Sequence, residues 1–502
     1  MRPCTSRVIR AEELPKLLDE FLPAAACPDP HRRLRMAYAR KAGETDLEVL
    51  YYLSLGKGRT DLFLRVSPER NVMPSVANRF PSLSWYEREM HDLFGIDFAG
   101  HPELHPLVLH EGATTLRPPL LGQAGAPIHY RTSPPSVPTM HATEIQRLPF
   151  GPVRADIVES AQFLFYYIGE GILHFHQRLF YKHRGMEKRF EGVSPMAGII
   201  LAERVSGTDS VAHALAFCQA CEMALGLLPP PRALGIRTIL AELERLANHL
   251  HYFAELARMT TLRVAAAQGA WLEEQVRQIN GALTGSRFLR GFLGVGGLRR
   301  DLEPSGLASR LTDLEPGISD FLDKLADTRS YLDRLIGTGR LSTDVAMDQG
   351  ATGPVERASG LDRDLRRDRP YGSYGMLEFR VPQESEGDAL ARAQVRRAEV
   401  TESLALVRES LARLESGPIT TDQPDEGPDP AGEGLGAVEG TRGGLYYAVH
   451  FDPDGKCLLR VKIKEPSFSN WRVFPFTVKD TNLMDYAINE ASFGLSIAGA
   501  DR

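Results

Sequence analysis

A proline-rich stretch between Gly112 and Pro149 constrains this chain more than any other feature. Arg117 to Gln123 reads RPPLLGQ, and Ser133 to Met140 reads SPPSVPTM. Proline fixes φ and has no backbone N–H to give to a helix or a ladder, so such a stretch runs extended. It divides the 502 residues into 1–116, a connector at 117–149, and 150–502. A chain of this length has room for several sizeable cores.

The two flanks differ in periodicity. In the first, Leu47, Val49 and Tyr51 alternate with their neighbours as in a strand, and Arg59 to Val66 (RTDLFLRV) reads as its hairpin partner. Trp85 to Phe98 (WYEREMHDLFGIDF) begins as an amphipathic helix ending at Gly95. In the second, Ile236, Ile239, Leu240, Leu243, Leu246, Ala247 and Leu250 form one apolar helical stripe, with Glu242, Arg245 and His249 on another face. Similar periodicity at 208–227, 262–284, 308–334 and 385–416 predicts a helical bundle. An acidic Pro/Gly-rich loop is expected over 420–444, then two strands at Leu445–His450 and Leu458–Ile463. The fold class is therefore α+β: an α/β module, a connector, and a mainly helical module with a terminal β element.

Several function classes are excluded. A net charge of -6 argues against a nucleic-acid binder. Five cysteines, an odd and sparse number, point to a reducing compartment rather than a disulfide framework. No signal-peptide core precedes Glu12 and Glu13, and no run of apolar residues reaches the length of a membrane-spanning helix, so the chain reads as cytoplasmic. Gly294-Val295-Gly296-Gly297 lacks the spacing of a nucleotide loop and reads as a tight turn. His101, His105 and His110 fit no common metal spacing, and Leu361 to Pro370 (LDRDLRRDRP) reads as a solvated segment of alternating charge.

The phrases Trp85-Tyr86-Glu87-Arg88-Glu89, Asp92-Leu93-Phe94-Gly95-Ile96 and Gly100-His101-Pro102 resemble the C-type subunits of NADH:quinone oxidoreductase (complex I), with Leu116-Arg117-Pro118-Pro119 as a worn closing phrase. From Gly151-Pro152 onward the chain resembles the D-type subunits of that enzyme and, equally, the large subunit of group 4 [NiFe] hydrogenases. The phrases that carry this are Tyr181 to Lys188 (YKHRGMEK), Ile236-Arg237, Glu244 to His249 (ERLANH) and Gly296 to Leu302 (GGLRRDL). Gly387-Asp388 with Arg392, Pro466 to Asn470 (PSFSN) and the ending Ala500-Asp501-Arg502 complete the set. The resemblance covers nearly the whole chain, and C and D modules in this order occur fused in formate-hydrogenlyase-type subunits.

In group 4 hydrogenases two CxxC pairs hold nickel and iron, because thiolates are soft ligands whose pKa a metal readily lowers. Aligned by the resemblance, those positions hold Ser206, Asp209, Ser496 and Gly499, so nickel is not expected. Cys218 and Cys221 form a CxxC inside an apolar run and read as core residues. In the D-type subunits a histidine and a tyrosine donate hydrogen bonds to the quinone head; their positions hold Val158 and Gly207, which have no side-chain donor. Glu159 falls where hydrogenases carry a proton-relaying glutamate, and Glu274 on the second glutamate of an F-R-x-R-E phrase.

The resemblance thus leaves a shortlist of Glu159, His183, Arg204, His213, Arg237, Glu244 and Glu274. These residues form either a proton or charge path, or buried ion pairs that fix helix register. The implied role is the large peripheral-arm subunit of a complex that couples electron transfer to ion translocation. It implies no directly bound cofactor, an iron–sulfur cluster in a small B-type partner, and quinone as a possible acceptor. Antiporter-like and H-type membrane proteins would attach it to the inner face of the membrane. An active quinone-reducing subunit with an altered pocket and an inert docking subunit are the alternatives.

Overall fold

Four strands open the chain: Thr5–Ile9 (β1), Arg32–Lys41 (β2), Leu47–Leu55 (β3) and Leu62–Val66 (β4). They form one sheet in the order β1-β4-β3-β2, with β1 parallel to β4 and the other pairs antiparallel. The structure, a computed structural model, describes residues 5–22, 31–43, 46–56, 61–110, 113–114, 117–122, 129–130, 140, 142, 144–154, 159–421, 432–479 and 481–502.

The C-type signature folds as the helix Ser84–Phe94 (α1), ended by Gly95 at φ 70°, a left-handed conformation that glycine adopts without strain. This helix joins the two halves of the molecule. Trp85 and Tyr86 set their rings 5.5 and 5.1 Å from that of Phe468. Glu89 pairs with Lys462 at 2.6 Å and with Arg502 at 3.0 Å. Asp92 accepts from the backbone N–H groups of Leu107, Val108 and Leu109 at 2.8 to 3.0 Å, pinning the following turn.

The last residues assigned to the connector are already a strand: Gln146–Phe150 (β5), Gln162–Ile168 (β6) and Gly171–Arg178 (β7) make an antiparallel sheet in the order β7-β6-β5. The bundle follows, built from Ser210–Leu225 (α2), Pro231–Met259 (α3), Arg263–Thr284 (α4), Leu307–Asp327 (α5) and Ala389–Ala412 (α6). The α3 stripe from Ile236 to Leu250 is buried, and so is its other face with Glu242, Arg245 and His249. Gly294 and Gly297 pair in a two-residue hairpin, the tight turn expected there.

Two expectations are corrected. The acidic 420–444 region is not a loop throughout: Glu433–Gly440 (β8) pairs with Gly443–Phe451 (β9), which pairs with Leu458–Lys464 (β10). The glycines that suggested a loop stand on one face of β8, against helix α2. A Cβ on Gly434 would lie 1.9 Å from the Ala220 carbonyl oxygen, and one on Gly436 1.8 Å from that of Ala216. Glycine here is a packing requirement rather than a turn signal. Residues 422–431 lie outside the described residues. The charged run at 361–370 is not solvated either: Arg363, Asp364 and Arg366 are buried and paired.

Two large apolar clusters fill the molecule. One lies in the bundle and against the last sheet. The other runs from the N-terminal sheet and α1 through β6 and β7 to the C-terminal residues, so the parts flanking the connector share a core. Among the described residues no helix is long and apolar enough to cross a membrane.

Candidate functional site

The segment 206–209, just ahead of α2, and the segment 494–499, near the end of the chain, meet in space. Arg442, in the β8–β9 turn, ties them: Nη1 pairs with Asp209 and donates to Thr208 Oγ1 at 3.1 Å, while Nε donates to the Gly494 carbonyl oxygen at 2.6 Å. Arg184 makes a second tie, donating to the carbonyl oxygens of Arg204 at 2.9 Å, Val205 at 2.5 Å and Ala498 at 3.0 Å.

The positions that carry thiolates in hydrogenases are occupied by a different chemistry. Ser206 Oγ donates to Asp209 Oδ2 at 3.0 Å. Ser496 Oγ accepts from Gly499 N at 2.9 Å, capping the short helix Ile497–Asp501 (α7). A Cβ on Gly499 would lie 2.8 Å from the carboxyl carbon and Oε1 of Glu465, so that carboxyl stands where a side chain at 499 would begin. Nickel and iron held by this fold family need four soft donors. Two hydroxyls, a carboxylate engaged by Arg442 and a glycine do not fit them, and among the described residues no group of three or more His, Cys, Asp or Glu is arranged to hold a metal ion. Cys218 and Cys221 lie buried in α2, where burial pushes their thiols up, away from the thiolate a metal requires.

What converges instead is a set of carboxyls. Glu159 accepts from Ile497 N at 2.6 Å and Ala498 N at 2.8 Å, capping α7. Glu244, on α3, accepts from Val211 N at 2.7 Å and Ala212 N at 2.9 Å at the start of α2. Burial and then the Asp209 charge push Glu244 up to about 8, against the two N–H bonds. Glu465 accepts from Ser467 N at 2.5 Å and Ser467 Oγ at 3.1 Å, and burial and Asp209 push it up to about 7. Asp501 accepts from Phe180 N and Lys182 N at 2.9 and 2.8 Å and is pushed up to about 7 by burial. Glu244, Glu465 and Asp501 therefore hold or exchange protons near neutral pH, the range in which a carboxyl can both give and take one.

Other shortlisted residues divide between this region and elsewhere. His213 shares a 2.8 Å hydrogen bond with the Tyr447 hydroxyl through Nδ1, and burial lowers it to about 4, leaving it neutral. His183 Nδ1 donates to the Asp501 carbonyl oxygen at 2.6 Å. The Gly207 carbonyl accepts from Arg290 Nη2 at 3.2 Å. Arg204 is half exposed and bonds the Ile200 carbonyl and Glu203, outside the convergence. Glu274 sits at the surface of α4 with Gln278 and Arg287. Arg237 is locked to Glu222 at 2.5 and 3.0 Å and to the Gly294 and Gly297 carbonyls, a contact that fixes the register of α3. Val158 lies outside the described residues. Sequence reasoning missed Arg442 and Glu465. The signals were a lone arginine in the turn Gly440-Thr441-Arg442-Gly443 and an acid immediately before the Pro466 to Asn470 phrase.

Beside the carboxyls opens a cavity of about 600 Å³, walled by Glu159, Arg442, Tyr252, Trp471, Tyr486 and Ile497 among others. The indole Nε1 of Trp471 and Nδ1 of His249 are buried without a partner among the described residues.

An N-terminal sheet module locked by its signature helix onto a helical module, whose two cysteine-free end segments converge, defines a two-module large subunit of the complex I and [NiFe]-hydrogenase type. The profile described as "Respiratory-chain NADH dehydrogenase, 30 Kd subunit" matches residues 12–123, and that for the "49 Kd subunit" matches 271–430 and 425–502. The profile described as "Nickel-dependent hydrogenase" matches 184–280. The chain is 30% identical over 491 residues to the fused C/D subunit of NADH-quinone oxidoreductase from Cereibacter sphaeroides, covering 88% of this chain and 84% of the relative. It is 30% identical over 458 residues to formate hydrogenlyase subunit 5 of Escherichia coli, covering 87% and 79%. A chain of a solved membrane-bound sulfane sulfur reductase, an archaeal respiratory membrane complex, matches with a TM-score of 0.67 and 27% identity, covering 72% of this chain and 99% of that one. The chain belongs to the family of fused C/D subunits of NADH-quinone oxidoreductase. Its role is that of a peripheral-arm subunit of an oxidoreductase complex.

Proposed function

We propose that this subunit works without a Ni–Fe centre, and that its former metal cleft handles protons for a complex that couples electron transfer to ion movement. One observation carries the reading: segments 206–209 and 494–499 converge, and Arg442 with Glu465 fills the convergence. Carboxyls that change charge near neutral pH, set around a fixed guanidinium, can take up a proton when negative charge arrives nearby and release it when that charge leaves. Electrons come from an iron–sulfur cluster in a small B-type partner, and antiporter-like and H-type membrane proteins anchor the arm to the inner face of the membrane. The test is metal analysis of the purified complex together with ion transport in Glu465→Gln. The reading expects no stoichiometric nickel and transport reduced with assembly intact. Stoichiometric nickel, or undiminished transport, contradicts it.

A second reading has its own support. The 600 Å³ cavity has aromatic walls and an unpartnered Trp471 N–H, features suited to a flat organic acceptor such as a quinone. It expects quinone-dependent turnover that falls in Trp471→Phe; absence of turnover with every quinone tried rejects it.

A further inference from the structure

A second cavity, of about 330 Å³, lies on the seam between the two halves of the molecule. Arg32, Arg33 and Arg35 reach it from β2, and Arg363, Lys464 and Arg472 from the helical part. Among the described lining residues the acid is Asp348. Arg79 also lines the cavity but pairs with Asp19 at 2.7 Å. Glu356 engages Arg33 at 2.9 Å and Arg363 at 3.4 Å. Arg32, Arg35, Arg472 and Lys464 make no ion pair with any described residue.

These cations are poorly satisfied. Arg35 is 6% exposed, yet only Nη2 is bonded, to Ser54 Oγ at 3.3 Å. Its Nε and Nη1, and the Nε atoms of Arg32, Arg33, Arg363 and Arg472, are buried without a partner among the described residues. Lys464 donates to the Gly444 carbonyl at 2.9 Å. The surplus is visible in the ionisation: burial, then Arg33, pushes Lys464 down to about 7, and the same two causes bring Arg363 down to about 9.

Buried cations without counter-charges are costly, and a fold that gathers them on one cavity has left room for the anion that completes them. Guanidinium forks match phosphoryl oxygens two at a time. Phe80, Tyr86 and Tyr446 add flat apolar wall for an organic group. We propose that this cavity binds a phosphate ester, its phosphoryl oxygens held by Arg35, Arg363 and Arg472 across the seam between the modules. The same phosphate chemistry reaches the site either on a soluble nucleotide-sized molecule or on an anionic lipid headgroup.

The test uses the full-length protein. ADP and pyrophosphate are titrated at low and high salt, and vesicles of phosphatidylglycerol with phosphatidylcholine are compared with phosphatidylcholine alone. The expected result is salt-sensitive binding that raises the melting temperature, weakened about tenfold or more in Arg35→Met and in Arg363→Met. Without ligand, Arg35→Met melts higher than the native protein, because a repelled and unpaired cation has been removed. Binding of ADP assigns a soluble phosphate, and binding of anionic vesicles alone assigns a headgroup. The proposal is overturned if none of these probes binds, if the variants bind as tightly as the native chain, or if citrate binds as tightly as pyrophosphate. It is also overturned if Arg35→Met melts lower with and without phosphate, which would make Arg35 a structural cation.

Discussion

Glu242 and Glu244 stand on the same helix, both buried, and their carboxyls are held at about 2 and about 8. Burial pushes both up. At Glu242 the Arg245 and Arg366 guanidiniums, with the Tyr374 and Ser403 hydroxyls at 2.5 and 2.7 Å, outweigh it. At Glu244 two backbone N–H groups do not, and the nearby Asp209 charge adds to burial. Each belongs to a larger cluster. Around Glu242, Arg366 binds Asp364 at 2.7 Å, Arg357 binds Glu399 at 2.5 Å and Glu439 at 3.0 Å, and His249 donates to Glu399 at 2.7 Å. Glu399 there is held well below the usual carboxylate range despite its burial, chiefly by Arg357, although Glu439 is pushed up to about 7 by burial and Asp364. At Glu242 and Glu399 guanidiniums outweigh depth and make a fixed brace, whereas carboxyls on which burial wins, such as Glu244 and Glu439, hold a proton.

The largest expected effect comes from breaking the brace. Arg366→Met leaves Asp364, Glu242 and Glu399 short of a counter-charge in a dry interior, and should cost about 3–5 kcal/mol in denaturant unfolding. Arg442→Met at the convergence should cost less, about 2–3 kcal/mol, because carboxyls already near neutrality can take up protons instead of standing as bare charges. If the two losses are equal, the distinction between the clusters fails.

Acidity should separate the clusters next. Glu465, Asp501 and Glu244 ionise higher in the folded chain than the usual carboxylate range, so between about pH 4.5 and 8 the folded state binds more protons than the unfolded one. Their contribution is fully present below that window and declines as pH rises through 7 to 8, by at most about 1.4 kcal/mol per pH unit for each proton. Glu242 and Glu399 act oppositely: their stabilisation is present above the unfolded value and lost as pH falls toward 2. Melting temperatures across pH should fall on both sides of a mildly acidic maximum, and Glu465→Gln should flatten only the alkaline side. The smallest effect is that of the amide alone: at pH 8, Glu465→Gln should stabilise by about 1 kcal/mol whereas Glu399→Gln destabilises.

Elements with a strong period were legible in the sequence, since an apolar stripe such as Ile236 to Leu250 reports its own burial. Composition misled where polar or small residues were buried for reasons outside their own segment. The glycines of β8 answer to the backbone of α2, and the Arg366 guanidinium answers to Glu242 and Glu399, more than 30 residues distant. At the site, the lost sulfur positions and Glu159 could be placed from phrases alone. Glu465 could not, because its part depends on the absent Cβ of Gly499, a relation between two loops rather than a pattern along one. Arg204 and Glu274, shortlisted through the resemblance, lie toward the surface.

The central claim is that the converged end segments hold protons in place of a metal. Infrared titration of the purified complex near neutral pH tests it most directly. The account predicts a protonated-carboxyl carbonyl band that fades with a midpoint near pH 7 and is weakened in Glu465→Gln, with Asp501 and Glu439 supplying the remainder. A spectrum with no such band at neutral pH, or one that Glu465→Gln leaves unchanged, would contradict it.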